Sequence, residues 1–276
     1  MKYLCDSDSV ENLYPSAFSR RIWLIGGTQE SSKIASAFAH TNLPCTISVT
    51  TESARSLYRA APNLNVCVGR FTLNQIEEFL LREQIVAILD ASHPFAVEIS
   101  QNAIAVSQKL KIPYLRYERP NLKQSKQEER LDFPTLLSGN YLQGQRVLLT
   151  LGYRFLHLFQ PWQARATLFA RILPSAIALE SAIASGFTPD RLICLRPPIS
   201  ADLEQALWQQ WHISLVVTKA SGKPGGEDIK RLIANQLNIP LIVIASPQVD
   251  YPQQTSDLSQ ALQFCRSAID HHCPTY

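Results

Sequence analysis

Short apolar runs alternate with helix-period stretches along most of this chain, and that alternation most narrows what it can fold into. Residues 22–25, 45–49, 65–68, 85–89 and 112–115 read as strands. Between them lie Ile34, Ala35, Phe38 and Ala39, then Leu73, Ile76, Phe79 and Leu80, then residues 97–110, each with apolar side chains at the spacing of one helix face. A polar, highly charged stretch at 121–130 breaks the rhythm. It then resumes with strands at 146–150, 166–172, 192–195, 215–218 and 241–244 and helices at 175–185, 200–211, 226–237 and 256–269. Strand and helix in strict succession predict parallel βαβ units with right-handed crossovers.

The expected fold class is therefore α/β: two Rossmann-like domains with parallel sheets and a cleft between them. Residues 1–20, polar and weakly patterned, read as a flexible extension. Residues 21–120 read as a dinucleotide-binding domain, 121–145 as a linker, and 146–276 as a second domain contributing to a substrate cleft. A length of 276 residues with 46% hydrophobic content allows a core of that size.

Charge excludes some classes. A net charge of +3, with Lys and Arg scattered rather than striped, gives no footprint for nucleic acid. No apolar run approaches the roughly 18 residues of a membrane span, and Asp6, Asp8 and Glu11 stand where a secretory leader would be basic and apolar, so a cytoplasmic protein is expected. The six cysteines form no C-x-x-C pair. Cys45, Cys67 and Cys194 fall inside strands and read as small core residues of a reducing compartment. No histidine spacing marks a metal site, and none is expected.

Chemistry is most legible at strand ends, where open α/β sheets bind ligands. The first strand runs into Gly26-Gly27-Thr28-Gln29-Glu30, and the chain has only ten glycines. Two of them here permit a tight turn and close approach of an anion to backbone N–H groups at a helix start, although the spacing departs from G-x-G-x-x-G. After the second strand, Ser48, Thr50 and Arg55 suit a ribose 2′-phosphate, as in NADPH; Glu52 is discordant, and NADH stays open. The alternative is that Ser53 caps a short helix and Arg55 is solvated. The fourth strand opens onto Asp90-Ala91-Ser92-His93-Pro94-Phe95-Ala96, where Pro94 suits the first turn of the next helix and presses His93 into an extended conformation. This block is either a ligand-facing loop or an ordinary capped one. Thr218-Lys219-Ala220-Ser221-Gly222, before the helix at 226–237, is either a second anion site or only a helix cap.

Gly26 to Glu30, Gly69-Arg70, the Asp90 to Ala96 block, Arg116-Tyr117-Glu118-Arg119-Pro120, Thr150-Leu151-Gly152 and Thr218 to Gly222 together resemble the signature blocks of precorrin-6A reductases, including the cobalt-precorrin-6A reductases of cobalamin biosynthesis. The resemblance spans about residues 21–245. Lys223-Pro224 departs from it, since the family more often continues with a second glycine.

The resemblance implies NAD(P)H-dependent reduction of one carbon–carbon double bond in a corrin-precursor macrocycle, with the active site between two Rossmann-like domains. The partner implied is a tetrapyrrole bearing many carboxylates. Gly26, Gly27, Thr28, Gln29 and Glu30 would then bind the cofactor, with the backbone of Gly27, Thr28 and Gln29 at the pyrophosphate, and Gly69 and Arg70 would line the same groove. Asp90, Ser92 and Pro94 would lie near the nicotinamide, with His93 binding a substrate carboxylate or donating a proton. Arg116, Arg119, Gly152, Arg154, Thr218, Lys219, Ser221 and Gly222 would meet the substrate, arginine suiting bidentate carboxylate contacts best. A sensor of the same fold without turnover is a second reading. A short-chain-type reductase is a third, weakened because no Tyr-x-x-x-Lys pair occurs. Oligomeric state is not legible.

Overall fold

The computed structural model describes residues 20–118 and 128–271, which fall into two compact units, 20–118 with 247–271 and 128–246. The first unit contains β1 (Arg21–Ile25), α1 (Gln29–His40), β2 (Cys45–Val49), α2 (Glu52–Arg55), β3 (Leu64–Val68), α3 (Leu73–Arg82), β4 (Ile85–Asp90), α4 (Val97–Leu110) and β5 (Tyr114–Tyr117). The second contains β6 (Glu128–Leu131), α5 (Phe133–Ser138), β7 (Arg146–Thr150), a 3-10 segment Tyr153–Trp162, β8 (Thr167–Ile172), α6 (Ala176–Ala184), β9 (Leu192–Cys194), α7 (Ala201–Gln210), β10 (Leu215–Lys219), α8 (Glu227–Leu237) and β11 (Leu241–Ile244). The chain then returns to the first unit with β12 (Gln254–Thr255) and α9 (Leu258–Asp270).

The first sheet runs β12-β5-β4-β1-β2-β3 and the second β6-β11-β10-β7-β8-β9, with every pairing parallel. Both therefore share one plan. β1 and β7 are central, the order reverses beside them (β1/β4 and β7/β10), and β12 and β6 each close one edge. Parallel strands need cover on both faces, and β1 shows how it is supplied. Ile22 and Leu24 pack with α1 and α9, while Trp23 and Ile25 pack on the other face with α3 and α4.

Two boundaries differ from the sequence expectation. Residues 128–138 of the expected linker are β6 and α5. The charged Glu128-Glu129-Arg130 reads as linker because β6 is an edge strand, its Glu128 bonded to Arg231 of α8 at 2.6 Å. Residues 247–271 belong to the first unit, because β12 extends β5 and Ala261, Cys265 and Ala268 of α9 complete its core. The fifth strand also starts two residues late. Ile112 still donates back to Ser107 of α4 at 2.9 Å, and Pro113 has no N–H to give to a ladder. Cys45 and Cys67 are buried as expected, but Cys194 is exposed at the end of β9.

Candidate functional site

In the first unit the strand order reverses between β1 and β4, whose carboxyl ends carry the glycine turn and the Asp90 block. Register places Ile25 beside Asp90 and Asp90 beside Arg116 of β5. The turn and the block are stapled directly, since the Thr28 hydroxyl donates to the Ala91 carbonyl at 2.8 Å. Thr28 also caps α1, its Oγ accepting from the Ser31 N–H at 3.1 Å.

The two glycines have different reasons. A Cβ on Gly26 would lie 2.4 Å from the Tyr58 hydroxyl, so Gly26 makes room for a side chain of the protein itself. Gly27 has φ +97°, which only glycine adopts at ease, and a Cβ there would meet nothing within 4 Å. That open space beside the start of a 12-residue helix fits a dinucleotide phosphate. Two of the expected backbone donors are nevertheless engaged: the Gly27 N–H donates to Tyr58 Oη at 2.7 Å and the Thr28 N–H to Ser31 Oγ at 3.0 Å. The helix α1 itself begins at Gln29, directly after these two residues.

At the end of β2, Ser48 faces inward and accepts from the Trp23 indole at 2.9 Å, whereas Thr50 is exposed. Thr51, not Ser53, caps the short α2, whose last residue is Arg55. Glu52 is exposed at the start of α2. Gly69, whose N–H bonds the Val49 carbonyl at 2.8 Å, and the exposed Arg70 follow β3 on the same edge.

The Asp90 carboxylate is fully buried and wholly consumed inside the protein. It accepts from the Ser92 N–H (2.9 Å), Ser100 Oγ (2.6 Å), Tyr114 Oη (2.6 Å) and Arg116 (2.9 Å). Arg116 is 1% exposed, bonds Ser92 Oγ at 3.1 Å and lies 5.1 Å from the Tyr251 ring centroid. These two residues are an internal ion pair, which corrects the expectation of Asp90 as a cofactor contact and Arg116 as a substrate arginine. Burial and the Asp90 charge push the Tyr114 phenol far above its usual range, so it stays a donor. Ser92, with both its N–H and its hydroxyl turned to this pair, supports the loop.

His93 is part-exposed, as are the three residues that follow it in the block. Its Nδ1 accepts from the Phe95 N–H at 3.2 Å, so the neutral ring carries its proton on Nε2. Pro94 lies in a turn closed by Ala96 N–H to His93 C=O at 2.7 Å, and α4 begins only at Val97, after rather than at Pro94.

The second unit reverses between β7 and β10. Gly152 follows β7 with φ +77°, and the position of its missing Cβ is 4.0 Å from Lys219 Nζ. Lys219, at the tip of β10, lies 5.1 Å from the Phe155 ring centroid, and its pKa is pushed down to about 8 by burial and then by the Arg154 charge. Arg154 is exposed. Thr218 and Ser221 are buried, the latter packed so tightly under Gly225 that a Cβ there would lie 2.0 Å from its Oγ. Polar backbone groups of the loop before α8 are held by charged side chains of the protein itself. Gly222 N–H donates to the Glu227 carboxylate at 2.6 Å, and Lys230 Nζ holds the carbonyls of Gly225 and Gly226 at 2.7 and 3.1 Å. Arg119 lies outside the described residues.

Sequence reasoning misses Tyr58, Tyr114, Tyr251, Glu227 and Lys230. Aligning the ends of β4 and β5 would put Asp90 beside Arg116, and Glu227, Lys230 and Arg231 share the first turns of one helix. Nothing local marks Tyr58 or Tyr251. Among the described residues no cluster of three or more metal-ligating side chains occurs, and no helix is long and apolar enough to cross a membrane.

The sequence profile of the family described as precorrin-6x reductase CbiJ/CobK matches residues 21–266. A cobalt-precorrin-6A reductase of Synechocystis sp. is 49% identical over 249 residues, covering 89% of this chain and 95% of that protein. One of Priestia megaterium is 31% identical over 242 residues, covering 83% and 92%. Among solved structures, a CobK precorrin-6A reductase matches with a TM-score of 0.74 at 23% identity, over 90% of this chain and 97% of that one, which is a likeness of fold. The strand-end blocks, the two parallel sheets and these matches converge: the chain belongs to the precorrin-6x reductase CbiJ/CobK family.

Proposed function

We propose that the protein reduces one carbon–carbon double bond of precorrin-6A or its cobalt form, using NADPH. The observation that carries this reading is 49% identity across 95% of a cobalt-precorrin-6A reductase. The geometry supports it at both switch points. Gly27 and the start of α1 at Gln29 and Glu30 fit a pyrophosphate, and Thr50 and Arg55 fit the 2′-phosphate, with Ser48 behind them and Gly69 and Arg70 along the same edge. The nicotinamide, when bound, supplies the hydride. Binding it beside the acceptor carbon and excluding water is the protein's task, and positioning of this kind supplies up to ~7–11 kcal/mol.

Arg154 and Lys219 hold carboxylates of the macrocycle beside the open backbone of Gly152, a pair of cations suited to a polyanionic substrate. His93 offers an Nε2–H donor to a further carboxylate, its Nδ1 being held by the Phe95 amide. The test is anaerobic incubation with NADPH and each macrocycle, following nicotinamide absorbance. Oxidation of NADPH with one of them is expected; none with either overturns the assignment. His93→Ala should weaken substrate binding, and full turnover with unchanged substrate KM would reduce His93 to scaffolding.

A further inference from the structure

Tyr58 lies three residues beyond α2 and belongs to no motif of the sequence, yet its hydroxyl sits over the glycine turn. It accepts from the Gly27 N–H at 2.7 Å and is 2.7 Å from Ser31 Oγ. The direction of the second bond follows from its neighbours. Ser31 donates its one hydroxyl proton to the Thr28 carbonyl at 2.7 Å, so Tyr58 must donate to Ser31. Burial raises the phenol's pKa, which keeps that proton in place. The chain of bonds then runs from Gly27 N–H through Tyr58 and Ser31 to Thr28, and from the Thr28 hydroxyl to Ala91 at the tip of β4. Gly26 lacks a Cβ where one would strike this hydroxyl at 2.4 Å.

We propose that Tyr58 is a positioning residue of the cofactor site: by taking the Gly27 N–H it fixes the peptide that leads into α1, so that the helix start at Gln29 meets the pyrophosphate in a preset orientation. This rests on reading the first switch point as a dinucleotide site. It gives Gly26 and Gly27 separate tasks, one admitting the brace and the other leaving room for the ligand. Removing the hydroxyl leaves the Gly27 N–H unheld and the turn free to reorient, which costs cofactor affinity and not the chemical step.

The test is Tyr58→Phe, with NADPH titrated onto the free enzyme and KM and kcat measured separately. One lost hydrogen bond predicts a rise of about 3–10-fold in Kd and KM for NADPH, with kcat and the substrate KM unchanged. Gly26→Ala should reproduce the defect, because its Cβ would displace the Tyr58 hydroxyl from the Gly27 N–H. Should Tyr58→Phe fold poorly, Ser31→Ala removes the hydroxyl's acceptor and should shift NADPH affinity in the same direction. Unchanged or tighter NADPH binding overturns the proposal, as does a fall in kcat with KM unaffected. Wild-type protein that binds no nicotinamide dinucleotide overturns the cofactor reading along with it. Wild type that turns over while Tyr58→Phe behaves identically overturns this inference alone.

Discussion

In the first unit the strands that flank the reversal, β1 and β4, end in a turn held entirely by hydrogen bonds within the protein, and the charges there cancel in the buried Asp90–Arg116 pair. In the second unit the corresponding strands, β7 and β10, end in Gly152 and Lys219, where Lys219 and Arg154 place two positive charges together. One fold plan thus carries two electrostatic designs. A neutral, braced turn beside a helix start suits a phosphate held by backbone dipoles, and a cationic tip suits carboxylates held by side chains. The contrast also explains the mild net charge of +3 in a protein whose proposed substrate is polyanionic. The attraction is local, at one strand tip.

The largest test strikes the buried pair. Asp90→Ala leaves the Arg116 guanidinium buried without its carboxylate and strips Tyr114 and Ser100 of their acceptor. A loss of about 3–5 kcal/mol in unfolding free energy is expected by denaturant titration. A loss under ~1 kcal/mol would show that the block is a surface loop after all.

Lys219→Met strikes the cationic tip. It should lower kcat/KM about 10–100-fold through substrate KM, the scale of a lost charge-assisted contact, with NADPH affinity unchanged. An equal effect on NADPH would erase the distinction between the two tips. The same lysine sets a pH signature. Its ammonium is charged below about 8, so substrate KM should rise as pH passes upward through about 8, and Lys219→Arg should flatten that rise. Stability runs the other way. Between about 8 and the ordinary 10.5 the unfolded chain still holds the proton that the folded chain has released, so unfolding free energy contributed by this group increases with pH across that window.

Arg55→Ala should weaken NADPH about tenfold and leave NADH unchanged, the measure of one phosphate contact; equal losses for both would remove Arg55 from the 2′-phosphate. Comparable in size is Gly27→Ala, where space is free but φ is +97°. About 1–2 kcal/mol of stability should go, measured by thermal or denaturant unfolding, because only the backbone conformation is penalised.

Much of this was legible before any coordinates. The strands of both sheets fall within two residues of where apolar runs place them, except for β6 and β12. Those two escape because edge strands need no apolar periodicity: three of the four β6 residues are charged and β12 is two residues long. The glycine turn and the Asp90 block were identifiable as strand-end features, but their partners were not. Asp90 reads equally well as a ligand contact or as an internal carboxylate until Arg116, 26 residues on, is set beside it by the register of β4 and β5.

The features legible in the sequence alone are local: the periodicities that make strands and helices, the glycine demanded by a left-handed turn, and the family written in the strand-end blocks. What only the tertiary structure decided is pairing over distance. It set Tyr58 against Gly27, closed Asp90 on Arg116, and returned α9 to the first sheet. The physical reason is that a hydrogen bond or ion pair depends on two atoms within about 3 Å, and a parallel sheet brings such atoms together from strands that the chain separates by a whole helix or by an entire second unit.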